Sequence, residues 1–329
     1  MGLTGKSVAG TAADPSCGAM LCRACGREDT FRLFTTREML FGWRHPAEYG
    51  ECPHCHSLQI VAIPTNLGDY YPSDYYSLQP PPPRRKTPGP LRKAWARWLV
   101  EGPGGGAMSR RLLRKYPFFH WCRVAGCGLD SKILDVGCGS GGLLRRLQRY
   151  GFSDLTGVDP YTSLEADEPG FRVKRAELTE LGGGYDLIMM HHVLEHLVDP
   201  KRSLEELRAR LNPGGRLLVR IPVAGSETCR LYGPDWFNLD PPRHLLVPSC
   251  DGMEKLAQRS GFRVARTEFD GIETGFLYSE NYKRDIPYTG RPPDDPAKKK
   301  HYRRLAEAAN RRGEGDQGVF WLAAATAAR

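Results

Sequence analysis

Three stretches of this chain hold residue types at spacings that suit chemistry. LCRACG and ECPHCH place Cys22-x-x-Cys25 and Cys52-x-x-Cys55 with 26 residues between the pairs. Two such knuckles can close a tetrahedron of thiolates, which points to a structural zinc ion. His54 and His56 flank the last cysteine and are read as bystanders. ILDVGCGSGG sets Asp135 two positions before Gly137, with Gly139, Gly141 and Gly142 following. HHVLEH, residues 191–196, contains His-x-x-Glu-His, the spelling of one class of zinc proteases.

The glycine stretch decides most. Glycine reaches positive φ and lets a ligand approach the backbone. Gly137-x-Gly139-x-x-Gly142 matches a dinucleotide fingerprint loosely. Asp135, however, puts a carboxylate where pyrophosphate would need room. A cofactor with positive charge and no phosphate suits that place, and S-adenosylmethionine carries a sulfonium and an ammonium. Asp159 ends the next strand, 24 residues beyond Asp135, where a carboxylate can accept both ribose hydroxyls.

These residues need a frame. KILDVG, LTGVDP, YDLIMMHH and RLLVRIP read as strands, with FRVKRAEL a weaker one. GGLLRRLQRYG and PKRSLEELRARLNPGG read as helices, and another helix is expected to contain VLEHL. CDGMEKLAQRSGF and KKKHYRRLAEAANRR are further helices, each followed by a strand, FRVARTEFD and GVFWLAA. Alternation of this kind predicts a parallel α/β sheet with crossover helices. Upstream, 1–18 reads as a disordered tail and 19–79 as the cysteine module. Residues 80–122 read as a proline-rich linker (QPPPPRRKTPGP) followed by two basic helices, LRKAWARWLV and MSRRLLRKYPFFHW. Residues 123–329 form the α/β domain.

ILDVGCGSGG, GVDP, YDLIMMHHVLEHLVDP and LNPGGRLLVRIP together resemble the class I S-adenosylmethionine-dependent methyltransferases, in order and spacing, over roughly residues 120–270. The resemblance implies a Rossmann-like doubly wound sheet. It implies that Asp135, Gly137, Cys138 and Gly139 line the methionine end of the cofactor and that Asp159 holds the ribose. Pro160, Tyr161 and Glu177 would lie near the adenine, and His191 beside the transferable methyl. A reactive thiol at Cys138 is disfavoured, because no base accompanies it in sequence. HHVLEH then spans a strand end, and the protease reading falls away.

Glu195 and His196 are candidate functional residues in this frame, with His244 in NLDPPRHLL the best candidate for a general base. Asp240 and Arg243 would orient His244 or bind substrate. The competing readings are a structural signature for Glu195 and His196 and a backbone-bonded loop histidine for His244. Relatives that methylate catechol-like or ribose-diol hydroxyls hold magnesium with Glu-x-x-Glu-His and a later histidine. His192 stands here in place of the first glutamate, which suits magnesium poorly.

The order of a four-cysteine module, of the zinc-ribbon type, and a methyltransferase domain resembles bacterial enzymes of sugar, surface-glycan and natural-product methylation. SENYKRDIPY and GDQGVFWL look like that group too. The resemblance implies a small-molecule or glycan acceptor. Longer sugar C-methyltransferases carry a further C-terminal domain without counterpart here, so transfer to oxygen is expected. Tyr70, Tyr71, Tyr75 and Tyr76 would cap the pocket or pack between domains.

Composition bounds the alternatives. Net charge is +9, which permits a nucleic-acid partner, and an RNA methyltransferase gripping phosphates with the cysteine module and the basic segment is the main alternative. Dispersed arginines on solvated helix faces make nucleic acid the less favoured partner. SRRLLRKYPFFHW could instead rest on an acidic membrane surface. There is no apolar run of transmembrane length, and GKS in the first residues lacks the upstream glycine of a phosphate loop. Ten cysteines behind an N-terminus unlike a signal peptide suggest a reducing, cytoplasmic setting.

Overall fold

The computed structural model describes residues 17–71, 89–103, 106–162, 164–288 and 295–325. Residues 1–16 of the expected tail, 72–88 with most of the proline-rich break, and Tyr75 and Tyr76 lie outside the described residues.

Among the described residues, the strands form two sheets. The first begins with β1 (Cys17–Leu21), β2 (Glu28–Arg37), β3 (Pro46–Glu51) and β4 (Leu58–Ile60), joined antiparallel in that order. Its fifth strand comes from far downstream: β11 (Leu246–Val247) pairs with β4 through Leu246–Gln59 and Val247–Leu58. Three helices follow this module, α1 (Pro90–Glu101), α2 (Ala107–Lys115) and α3 (Pro117–Ala125). The single helix expected over MSRRLLRKYPFFHW is split at Tyr116–Pro117. Proline forces the residue before it out of the helical region, and Tyr116 sits at ψ 76°.

The second sheet holds β5 (Lys132–Val136), β6 (Asp154–Val158), β7 (Ala166–Glu168), β8 (Phe171–Lys174), β9 (Tyr185–His191), β10 (Leu211–Pro222), β12 (Phe262–Phe269) and β13 (Gln317–Ala324). The order is β12-β13-β10-β9-β5-β6-β8-β7. The central strands run parallel, and near-continuous apolar runs such as ILDV and LIMM are buried from end to end. β13 inserts antiparallel between β10 and β12. The covering helices are α4 (Gly142–Gln148), α5 (Pro200–Arg208), α6 (Glu227–Tyr232), α7 (Cys250–Arg259), α8 (Thr274–Lys283) and α9 (Pro296–Arg312). The Rossmann-like α/β expectation holds. None of the described helices is long and apolar enough to cross a membrane.

Two local expectations fail for identifiable reasons. The helix expected over VLEHL is one 3-10 turn, Leu194–His196. The Glu195 carbonyl, which would serve a longer helix, accepts instead from the Leu245 amide at 2.7 Å, and Asp199 caps a fresh helix start at Pro200. LNPGG, expected as a helix end, belongs to β10, because the Arg210 carbonyl is taken by the amides of Gly184 and Tyr185. β8 is the weaker strand expected over FRVKRAEL, whereas α6, α8 and β7, which pairs antiparallel with β8, were not expected.

Candidate functional site

The carboxyl ends of β5, β6 and β9 converge on the glycine loop, where ligands bind in open α/β sheets. Gly137, Gly139 and Gly141 all take positive φ (66°, 52° and 72°). The turn they make brings the Gly139 amide to Asp159 Oδ2 at 3.0 Å, and Asp159 Oδ1 accepts from the Tyr161 amide at 2.8 Å. Asp135 stands on the strand next to that of Asp159 and is buried. Burial, and then the charge of Asp159, push the Asp135 carboxyl up to about 8. A cradle with two neighbouring acidic side chains and a glycine-rich loop fits a cationic ligand. The chemistry of the donor set therefore agrees with S-adenosylmethionine.

Cys138 lies in the loop itself and Pro160 directly after Asp159, whereas Glu177 stands apart on the segment after β8. Cys138 packs where a side chain on Gly157 would meet its sulfur at 2.7 Å. Burial, then Asp135 and Asp159, push its thiol up, so it is a protonated filler. Pro160 follows Asp159, and its carbonyl accepts from Arg175 Nε at 3.1 Å. Glu177 is exposed and engaged in a capping box with Glu180. His191 lies under Trp121, with ring centres 4.4 Å apart, and its Nε2 is buried without a hydrogen-bond partner among the described residues. Burial, then Arg220 and His192, hold its imidazole well below the ordinary value, so it is neutral.

His192 takes φ 55°, and its Nε2 accepts from Arg220 Nη1 at 2.6 Å. Its Nδ1 therefore carries the proton and lies 3.3 Å from Glu195 Oε1. Glu195 is fully buried; His192 Nδ1 pairs with its Oε1, and Oε2 has no hydrogen bond among the described residues. Burial alone would raise this carboxyl; His192, His196 and His244 outweigh it and hold it below its ordinary value.

His244 is brought to the same place. One ligand atom from each of Glu195, His196 and His244 falls within 4.8 Å of the others. His244 Nδ1 donates to the Asn238 carbonyl at 2.9 Å, and His196 Nδ1 to the Arg243 carbonyl at 3.0 Å. A carbonyl only accepts, so Nδ1 carries a proton in both rings. Burial, then the neighbouring His196, push the His244 imidazole down to about 4. Tyr71 also reaches His196 Nδ1, at 3.0 Å, and stacks on Tyr161 at 6.3 Å. Tyr70 turns elsewhere, to His45 Nδ1 at 3.0 Å. Asp240 and Arg243 bond each other, at 2.9 and 2.6 Å, and Arg243 Nη2 also reaches Glu38 Oε1 at 2.8 Å. The Arg243 side chain is fully buried in these ion pairs, which suits orientation of the segment over substrate contact.

The four cysteines of the knuckles also meet. Cys22 and Cys55 sulfurs are 3.6 Å apart, Cys25 and Cys52 sulfurs 3.7 Å, and all four lie within 4.8 Å. Thiolates about 2.3 Å from a tetrahedral zinc stand about 3.8 Å from one another, so the cluster fits that ion. Each knuckle closes with a left-handed residue, Gly26 (φ 75°) and His56 (φ 56°). His54 and His56 pair with Asp29 (2.7 Å) and Glu51 (3.2 Å), outside the cluster. Glu38, Tyr49, Trp121 and Asn238 were missed by sequence reasoning. Each acts through a partner distant in sequence or through a backbone carbonyl, and neither leaves a motif.

A family profile described as "Methyltransferase domain" matches residues 97–267. Among curated proteins, the chain is 32% identical to trans-aconitate 2-methyltransferase of Deinococcus radiodurans, over 28% of the chain and 38% of that protein. It is 35% identical to the ubiquinone biosynthesis O-methyltransferase of Azorhizobium caulinodans, over 27% and 39%. It is 29% identical to the tRNA U34 carboxymethyltransferase of Alcanivorax borkumensis, over 40% and 44%. The chain thus spans about two fifths of the length of these relatives. Among solved structures, a sarcosine dimethylglycine methyltransferase from Galdieria sulphuraria, so described provisionally, aligns over 70% of the chain and 97% of its own, with TM-score 0.42 and 16% identity.

Proposed function

Because the chain belongs to the Methyltransferase domain family, we propose that it transfers a methyl group from S-adenosylmethionine to a hydroxyl of a small-molecule or glycan acceptor, with His244 as general base. The observation that carries the base role is the fixed tautomer of His244. Its Nδ1 proton is committed to the Asn238 carbonyl, so Nε2 offers a lone pair inside a buried cluster.

Asp135, Gly137, Gly139, Asp159 and His191 are assigned to hold the cofactor. Neutral His191 and Trp121 wall the methyl side without opposing its positive charge. When bound, S-adenosylmethionine supplies an electrophilic methyl group, which bonds to the acceptor oxygen while sulfur keeps the bonding pair. His244 accepts the hydroxyl proton at Nε2. The imidazolium so formed is favoured by Asp240, whose Oδ2 lies 3.9 Å from Nε2, and by the Glu195 carboxylate. Tyr71 and His196 close the acceptor side against water. Cys22, Cys25, Cys52 and Cys55 are assigned a structural zinc ion.

RNA as acceptor has one feature in its favour: α2 exposes Arg110, Arg111, Arg114 and Lys115 and carries no acidic residue. The deep burial of His244 argues for a small acceptor group. The test is transfer of labelled methyl into two fractions, total RNA and a small-molecule and glycan extract. Label entering the second fraction supports the reading. Label confined to RNA, with salt-sensitive turnover, overturns it.

A further inference from the structure

The His244 segment is built into the cysteine unit. β11, two residues long, is the fifth strand of that unit's sheet. The Ile60 amide and Arg23 Nη1 both donate to the Leu245 carbonyl, each at 3.1 Å. The Tyr49 hydroxyl donates to the His244 carbonyl at 2.6 Å. Glu38 meets Arg243 at 2.8 Å, with both side chains fully enclosed. Downstream, the Ser249 amide donates to Ser57 Oγ at 3.2 Å and the Ser249 hydroxyl to the Cys55 carbonyl. Ser57 Oγ itself lies 3.3 Å from Cys55 Sγ. A loop with this many buried backbone groups needs partners for them, and the cysteine unit provides those named here. The glycine loop, by contrast, stands on β5 and β6 of the other sheet.

We propose that the four-cysteine unit forms the holding half of the acceptor site. Tyr49 and Glu38 are positioning residues that fix the His244 segment, and a metal in the cysteine cluster fixes the same segment through Cys55, Ser57 and Ser249. The cofactor half does not depend on it. This inference rests on the zinc and general-base readings above. Removing Glu38 would leave Arg243 with Asp240 alone in a buried setting, where an incomplete ion cluster is strongly unfavourable. Tyr49→Phe removes a single hydroxyl and leaves the packing volume.

The test is amide hydrogen exchange on the full chain, as wild type, Tyr49→Phe, Glu38→Gln and chelator-treated protein, with S-adenosylhomocysteine affinity measured beside it. Peptides covering 238–249 exchange about tenfold faster or more in all three perturbed forms, while 132–159 keep their protection. S-adenosylhomocysteine affinity stays within about twofold, since its contacts lie in the other sheet. The His244 imidazole, followed by nuclear magnetic resonance, moves up from about 4 toward the ordinary histidine value as its segment opens to water. Unchanged protection of 238–249 in Tyr49→Phe overturns the positioning role, as does loosening that spreads equally over 132–159. If Glu38→Gln fails to fold, Tyr49→Phe decides. Purified protein without zinc removes the metal part alone, and full turnover in His244→Ala removes the base reading alone. The Tyr49→Phe exchange result stands apart from both.

Discussion

The imidazoles of His196 and His244 meet edge to face, with ring centres 4.7 Å apart and planes 69° from one another. Each ring donates its Nδ1 proton to a backbone carbonyl, and both lie within reach of the Glu195 carboxylate. Replacing His244 by Ala is expected to lower turnover by about 10²–10⁴-fold. Affinity for S-adenosylhomocysteine should hold, because the residues proposed to hold the cofactor stand on other strands. Steady-state rates of the variant with binding measured alongside check this; an unchanged rate removes the base role.

The depressed His244 value also sets a stability trend. A histidine whose folded value is lowered binds fewer protons folded than unfolded. Its contribution is fully present above the unfolded value, near 6.5, and is lost as pH falls toward about 4. For His244 the loss amounts to about 3 kcal/mol at pH 4 relative to pH 7. Denaturant titrations at the two pH values should show a smaller loss in His244→Gln than in wild type.

Asp135 gives the opposite sign. Its carboxyl is raised to about 8 in the unliganded protein, by burial and then by Asp159. A cationic ligand prefers the ionised form, so binding below pH 8 must release a proton. Affinity for S-adenosylmethionine is expected to rise from pH 6 to pH 8 and then level, by up to about tenfold per pH unit. Calorimetry in buffers of different ionisation enthalpy counts the proton, and Asp135→Asn should abolish both the release and the slope.

Gly137 combines a left-handed backbone with a close approach. A Cβ there would stand 2.4 Å from Val193 Cγ2, at φ 66°. Gly137→Ala is expected to destabilise the fold by about 1–3 kcal/mol and to weaken cofactor binding. Adding Val193→Ala should recover only part of this, because it relieves the clash and leaves the dihedral strained. Urea midpoints of the single and double variants separate the two contributions.

For the cysteine cluster, metal analysis of purified protein should give one zinc per chain. Cys52→Ser with Cys55→Ser should lose it, and with it the protected fold of 17–60, since a structural zinc supplies folding energy directly.

The strand, glycine loop and acidic strand end around Asp159 were legible in the sequence. β5, the glycine loop and Asp159 follow one another within a short span, and each leaves a local mark: an apolar run, a glycine cluster, an acid at a strand end. The cysteine knuckles were legible for the same reason. Glu195, His196 and His244 were also named from sequence, but the contacts that hold the His244 segment were not. Tyr49 and His244 are 195 residues apart, and Glu38 and Arg243 205, and nothing in either neighbourhood announces the other. The extra helix read into VLEHL failed likewise, because the Glu195 carbonyl is claimed by Leu245 across the fold.

Titration of S-adenosylhomocysteine into purified full-length protein, wild type and Asp135→Asn, tests the central claim most directly. Micromolar binding by wild type, at one site per chain and weakened at least about tenfold by the substitution, is the expected result. No binding by folded wild-type protein at any pH between 6 and 9 would contradict it.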